Sequence, residues 1–331
     1  MKFTNGHKNM IMLIKIISIR IYLLKLSKIK LMIGFFALFI INTLFAQQEP
    51  MYSQYMFNMS HINPAYVGNR AVDNITTIYR KQWVEIEGAP TTATLSWDKR
   101  KAESNVGYGI SIFNDRLGVE STTGFQAFYS YRIPLRNSFL SFGLSAGVLN
   151  YLAAFSQVLT TQTGDPLFQE DVKGWLPTAG IGAIYATEKW YVGLSVPALL
   201  GAKLDVNKQQ VNYGIDNHYF LTSGYIFDVS EGLKFKPSIL LKAVRGAPFE
   251  YDFNMNMWLY DVLGFGMSYR TGDAIVGMFE LQLFPQIRLG YAYDYTISNI
   301  KIYNSKGTHE LMLRYEFSRN KNERILSPRY Y

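Results

Sequence analysis

The chain of 331 residues carries 24 Tyr, 22 Phe and 26 Gly but only 18% charged residues. That balance excludes a disordered polar chain and an ordinary enzyme with a charged surface, and it suits strands at a membrane interface. The net charge of +8 invites a nucleic-acid reading, yet residues 1–46 hold seven Lys or Arg and no acid, leaving 26 basic against 25 acidic residues in the remainder. The charge belongs to a leader, and no nucleic-acid partner is expected.

That leader ends in the apolar run "LMIGFFALFIINTLFA", followed by the polar "QQEP". A basic flank, an apolar run, a small residue and a polar start predict a secretory signal peptide over residues 1–46, cleaved after Ala46. An N-terminal membrane anchor is the alternative, and a true start at Met10 or Met12 would shorten the long basic part. The chain has no cysteine, so it forms no disulfide and offers no lipidated cysteine behind the leader. No later run of ~18 apolar residues provides a spanning helix.

Residues 47–70, "QQEPMYSQYMFNMSHINPAYVGNR", show no alternation and are rich in Tyr, Met, Asn and Pro. Two placements are open for this stretch: inside a lumen as a plug, or beneath a barrel as a docking segment. From residue 71 onward, apolar and small or polar residues alternate, the period of a β-strand with one wet face. Strands are predicted near 71–80, 89–98, 106–114, 124–133, 139–150, 176–187, 190–196, 218–228, 233–244, 250–259, 263–270, 274–284, 287–296 and 308–317.

About fourteen segments near the ~9 to 11 residues that a tilted strand needs to cross a bilayer predict an all-β protein. The expected fold is a transmembrane antiparallel up-and-down β-barrel of outer-membrane type spanning 71–317. In "IRLGYAYDY", Ile287, Leu289, Tyr291, Tyr293 and Tyr295 face lipid, while Arg288, Gly290, Ala292 and Asp294 face the lumen. The longest connections, 151–175, 197–217 and 297–307, all follow odd-numbered strands, and short ones such as 187–189, 260–262 and 285–286 follow even ones, as periplasmic turns should. The polar stretch 318–331 reads as a periplasmic tail or a disordered end, which places both termini in the periplasm.

Chemistry is sparse. "GLSAG" at 143–147 matches a nucleophile-elbow pattern, but it lies inside an alternating strand where Ser145 has no sharp turn to expose it. His61, His218 and His309 are isolated and show no metal-ligand spacing, so neither a catalytic residue, a metal nor a cofactor is expected. Arg270, Glu280, Arg288, Asp294, Glu310, Arg314 and Glu316 fall on the lumen phase of the last four strands with mixed signs. Mixed signs favour a wall-bracing network over a selective ion path. Lys234, Lys236 and Lys242 form a basic stripe that reads as a solvated face.

Three stretches carry a family resemblance: "YSQYMFNMSHINPAYVGN", then "YRKQWVEIEGAPTTATLSWD", and later "SYRTGDAIVGMFELQLFPQIRLGYAYDYT". In order and spacing they resemble the PorP/SprF family of type IX secretion and gliding-motility outer-membrane proteins of Bacteroidetes, over nearly the whole mature chain. The resemblance implies an outer-membrane protein without catalytic residues, working with periplasmic or lipoprotein components of the secretion machinery or with a large secreted adhesin. Asn63, Pro64, Gly68, Arg80, Trp83, Gly88, Pro90, Arg270, Gly272 and Asp273 match the motif and enter as candidates for fold or partner contact. The leading expectation is a non-enzymatic anchor. Its rival is a passive channel for small solutes, because the small residues facing inward would leave room.

Overall fold

The computed structural model describes residues 51–70, 72–101, 104–158, 170–200, 203–205, 212–214, 216–244, 247–303 and 306–317. The expected signal peptide, residues 47–50 and the tail 318–331 lie outside the described residues.

Fourteen strands form the wall: β1 (Asp73–Lys81), β2 (Thr91–Arg100), β3 (Val106–Leu117), β4 (Glu120–Pro134), β5 (Ser138–Ala153), β6 (Val172–Thr187) and β7 (Trp190–Val196). The eighth, β8, is interrupted at Ile226 and runs as His218–Tyr225 and Phe227–Ser230. The ring continues through β9 (Leu233–Val244), β10 (Glu250–Leu259), β11 (Leu263–Arg270), β12 (Ala274–Phe284), β13 (Ile287–Thr296) and β14 (Thr308–Phe317). Each strand pairs antiparallel with its neighbours in sequence. β14 then closes the ring on β1, from Asp73 opposite Phe317 to Lys81 opposite His309. A small hairpin, Lys203–Asp205 with Asn212–Gly214, belongs to the β7–β8 connection and lies outside this sheet.

Alternation decides which side chains meet the bilayer. Along β13, Arg288, Gly290, Ala292 and Asp294 are buried, while Leu289, Tyr291 and Tyr295 are exposed on the outside. Leu144, Met267 and Leu311 are 57%, 64% and 57% exposed, which an isolated soluble protein would not tolerate around its whole girth and a barrel in lipid requires. No helix among the described residues is long and apolar enough to cross a membrane; the crossing elements are strands.

The strand count and phase agree with the alternation in the sequence, but several boundaries move. β4 starts at Glu120 rather than 124, β5 runs to Ala153 and β6 starts at Val172 rather than 176. These strands have 15 or 16 residues, longer than the ~9 to 11 that cross a bilayer, so this side of the wall stands beyond the hydrocarbon. There the outward face no longer needs to be apolar, and the signal that marks a strand fades. The prolongation is pinned locally, because the Ser156 hydroxyl donates to Asp171 at 2.7 Å and this bond holds the Asp171 carboxyl below its usual range.

Connections after odd strands include 154–171, 197–217 and 297–307, and none after an even strand exceeds the stretch 101–105. Three of the odd-side connections, 82–90, 118–119 and 297–307, are joined. The Val84 amide donates to Gly307 O at 2.9 Å, the Lys306 amide donates to Val84 O at 3.1 Å, and Gly118 donates to Gly88 O at 2.8 Å.

Candidate functional site

The lumen is occupied by the chain itself. Residues 51–70 fold into three single turns, Tyr55–Phe57, Met59–His61 and Pro64–Tyr66. Asn63 and Pro64 specify the third: the Asn63 side chain accepts from the Ala65 amide at 2.9 Å, and proline at the first position has no amide to leave unsatisfied. From Tyr52 to Asn69 every residue is buried except His61, which is partly so.

The partners of this segment lie on strands all around the ring, which only a chain inside it can reach. Tyr52 bonds Thr94 on β2, and Tyr55 Oη accepts from Asn254 on β10 at 2.6 Å. His61 meets Ser111 on β3 at 2.8 Å, and Ile62 O accepts from Ser195 on β7 at 2.6 Å. Ser141 on β5 donates to Ala65 O at 3.1 Å, and Ser130 on β4 donates to Val67 O at 2.6 Å. The Asn63 amide nitrogen ties the segment to β6 and β7, donating to Ala183 O at 3.1 Å and Leu194 O at 3.2 Å. The small inward residues make room for this backbone. A β-carbon on Gly143 would strike Ala65, one on Gly182 would strike Asn63, and one on Gly107 would strike Val67.

The strongest polar contacts gather where the segment begins. Arg80 on β1 donates to Asp294 on β13 at 2.8 Å, to Glu310 on β14 at 3.0 Å and to Ser53 Oγ at 2.6 Å. Glu310 in turn accepts from the Ser53 and Gln54 amides, each at 2.8 Å, and Ser53 Oγ donates to Asp294 at 2.7 Å. Arg270 on β11 reaches Asp252 at 3.2 Å, Asp273 at 3.3 Å and Tyr52 O at 3.5 Å. Charges out of water need full partnering, and hydrogen bonds to ionised groups contribute about 1.5–3 kcal/mol each. The start of the segment is one of those partners.

The seven lumen charges are all buried, but they do not form one network. Asp294, Glu310 and Arg270 join the cluster just described, and Arg288 pairs with Glu280 at 2.9 Å. Arg314 stands directly opposite Arg288 in the register. Like charges in that position repel, and Arg314 turns inward, donating to Thr76 Oγ1 at 3.2 Å and to Phe57 O while lying over the Phe57 ring. Glu316 is buried near the end of β14, opposite Asn74.

The motif positions divide between two places. Asn63, Pro64 and Gly68 lie on the segment, and Arg80 and Arg270 receive it. Gly68 has φ +67 and donates to Asp98 at 3.2 Å, with Gly107 so close that a β-carbon would not fit. Trp83, Gly88, Pro90, Gly272 and Asp273 lie in connections after odd strands. Trp83 has φ 43 and its amide donates to Thr308 Oγ1 at 3.1 Å, Pro90 O accepts from Gln82 at 2.9 Å, and Asp273 O accepts from Ile297 at 2.8 Å. Gly272 supplies a turn at φ 71.

One reading of the sequence is corrected. Lys236 and Lys242 are 2% exposed and do not form a solvated face. Lys242 pairs with Glu250 at 3.3 Å, Lys234 pairs with Asp261 at 3.1 Å, and the Lys236 ammonium lies between the Tyr191 and Trp258 rings. Ser53 and Asp252 were not singled out by the sequence. Asp252 shares the polar inward phase of "EYDFNMNMWL", so alternation was sufficient to find it, whereas nothing periodic marks Ser53. Ser145 is buried on the inward face of β5. Among the described residues, no three His, Cys, Asp or Glu side chains are grouped so as to hold a metal ion.

Closed antiparallel pairing, an apolar exterior and a polar, occupied lumen define an outer-membrane β-barrel. Residues 44–315 match the family described as type IX secretion system membrane protein PorP/SprF, and the chain belongs to that family. Similar solved structures include the CymD monoaromatic hydrocarbon channel (10% identity, 83% of this chain and 95% of that one, TM-score 0.49). The Acinetobacter baumannii outer membrane protein Omp33 is another (9% identity, 74% and 98%, TM-score 0.46). A Pseudomonas aeruginosa FadL homologue is a third (11% identity, 82% and 95%, TM-score 0.46). No curated protein sequence matches the chain.

Proposed function

We propose that this protein is a non-enzymatic anchor in the type IX secretion and gliding machinery, holding periplasmic components or a secreted surface adhesin at the outer membrane. The observation that carries the reading is the occupied lumen: residues 51–70 fill the space that a solute path would need, bonded to strands on every side. Family membership supplies the machinery. In this reading residues 51–70 are a plug, the lumen charges hold it, and the odd-side motif residues Trp83, Gly88, Pro90, Gly272 and Asp273 are candidate partner contacts. A passive channel for small solutes is the alternative, and it requires the plug to leave.

The test is affinity purification of the tagged protein from native outer membranes in mild detergent, followed by mass spectrometry. Type IX lipoproteins or a large adhesin in stoichiometric amount support the anchor. A barrel that purifies alone under several gentle conditions overturns it, and planar-bilayer conductance then decides for the channel.

A further inference from the structure

The inner segment does not enter and leave by the same mouth. β1 begins at Asp73, opposite Phe317, the last residue of β14. The end of the segment that joins β1 lies at this mouth. Gly68 O and Asn69 O accept from Arg100, the last residue of β2, each at 2.8 Å, and Asn69 also bonds Arg132 near the end of β4. The beginning of the segment lies at the other mouth. Ser53 and Gln54 are held by Arg80, Asp294 and Glu310, close to where β1 and β13 end and β14 begins. Arg270, the last residue of β11, holds Tyr52 O and also reaches Asp273 in the connection beyond.

From Asp73 to Arg80 the strand runs about 23 Å at roughly 3.3 Å per residue, a climb of roughly 18 Å at the ~40° tilt of barrel strands. The segment makes most of its descent between Gln54 and Phe57, whose carbonyl accepts from Arg314 near the end of β14 and from Arg70. It then crosses the periplasmic half of the lumen, with Asn58, Ala65 and Val67 meeting β2, β5 and β4. Met51 is therefore at the mouth that carries the connections after odd strands, including the long ones at 154–171, 197–217 and 297–307. In outer-membrane barrels the long connections face outside and the short turns face the periplasm.

We infer that the chain is strung through its own barrel, so that Met51 lies at the surface mouth while the end of β14 lies in the periplasm. It puts the beginning of the inner segment at the mouth opposite the periplasm, where both termini are expected, and it stands independently of the anchoring role. It also gives the cluster of Arg80, Arg270, Asp294 and Glu310 a position: a clasp at the surface mouth. The segment is covalently tied to β1 at the periplasmic mouth, so clearing the lumen from that side must first break the bonds to Ser53 and Gln54 and draw the beginning of the segment inward.

The chain has no cysteine, so single-cysteine labelling reports one site at a time. The variants are Met51→Cys, Asn299→Cys in the β13–β14 connection and Gln286→Cys in the β12–β13 turn, treated with a membrane-impermeant maleimide on intact cells and again after outer-membrane permeabilisation. Heat-modifiable migration checks that each variant is folded. Met51→Cys and Asn299→Cys are expected to label in intact cells at least tenfold faster than Gln286→Cys, which reacts fully only after permeabilisation. Met51 is half-buried, so each labelling rate is normalised to that of the same variant after heat denaturation. Reaction at Met51→Cys only after permeabilisation, in step with Gln286→Cys, would overturn the inference.

Discussion

Gly143 on β5 and Ala65 on the inner segment pack backbone against backbone: a β-carbon on Gly143 would collide with the Ala65 amide nitrogen. This contact changes the meaning of the small residues on the inner wall. Glycine facing a lumen reads as open space when only the wall is considered, and as a fitted surface once the segment lies on it.

A larger side chain at Gly143 is therefore expected to open the barrel rather than block it. Gly143→Val should displace residues 63–66 and destabilise the protein by about 1–3 kcal/mol, the usual cost of overpacking. In planar bilayers the native barrel should be nearly silent and the variant should show discrete conductance steps. Large steps in the native protein that Gly143→Val abolishes would instead identify an open channel.

Arg80 is the side chain on which the surface-side cluster depends, because it alone touches Asp294, Glu310 and Ser53 together. Arg80→Ala leaves two buried carboxylates short of their counter-charge and should cost about 3–5 kcal/mol. Ser53→Ala removes one neutral hydroxyl, which accepts from Arg80 and donates to Asp294, while the amide bond to Glu310 stays; it should cost about 1.5–3 kcal/mol. Both should appear as lowered temperatures of heat-modifiable migration. The double variant should fall short of the sum, since the two groups share partners.

The exposed pair of Lys306 and Glu85 makes the opposite case. Their side chains are 66% and 44% exposed, and surface ion pairs contribute roughly 0–1 kcal/mol. Lys306→Ala should leave heat-modifiable migration unchanged, because the two connections are held there by the backbone bonds between Val84 and residues 306–307. A shift as large as that of Arg80→Ala would mean that the side chains and not the backbone join these connections.

The wall was legible in the sequence because lipid imposes a strict rule on it. Wherever a strand crosses the bilayer its outward residues must be apolar, and Leu263, Phe265, Met267 and Tyr269 on β11 or Leu311, Leu313 and Tyr315 on β14 obey. The rule lapses where β4, β5 and β6 run past the hydrocarbon, and there the boundaries slipped. The inner segment follows no such rule: its short turns have no period, and its fit to Gly107, Gly143 and Gly182 is a relation between distant stretches that neither stretch shows alone. Lys236 and Lys242 were misplaced for the same reason. Their inward phase was readable, but whether the inside was wet was not.

Asn63 separates two explanations of the same side chain. As the cap of the turn Pro64–Tyr66 it accepts from Ala65 through its carbonyl oxygen, and Asp serves that role as well as Asn. As the tie to the wall it donates through its amide nitrogen to Ala183 O and Leu194 O, and Asp has no hydrogen to offer there. If capping were its whole role, Asn63→Asp would be nearly neutral and Asn63→Ala would cost about 1 kcal/mol. The geometry predicts the reverse order: Asn63→Asp turns an ionised oxygen onto two buried carbonyls with no compensating charge, a larger loss than the missing hydrogen bonds of Asn63→Ala. Limited proteolysis of the inner segment in detergent, run beside heat-modifiable migration, should rank the aspartate variant as the more labile of the two. Equal protection of Asn63→Asp and the native protein would leave Asn63 as a cap and nothing more.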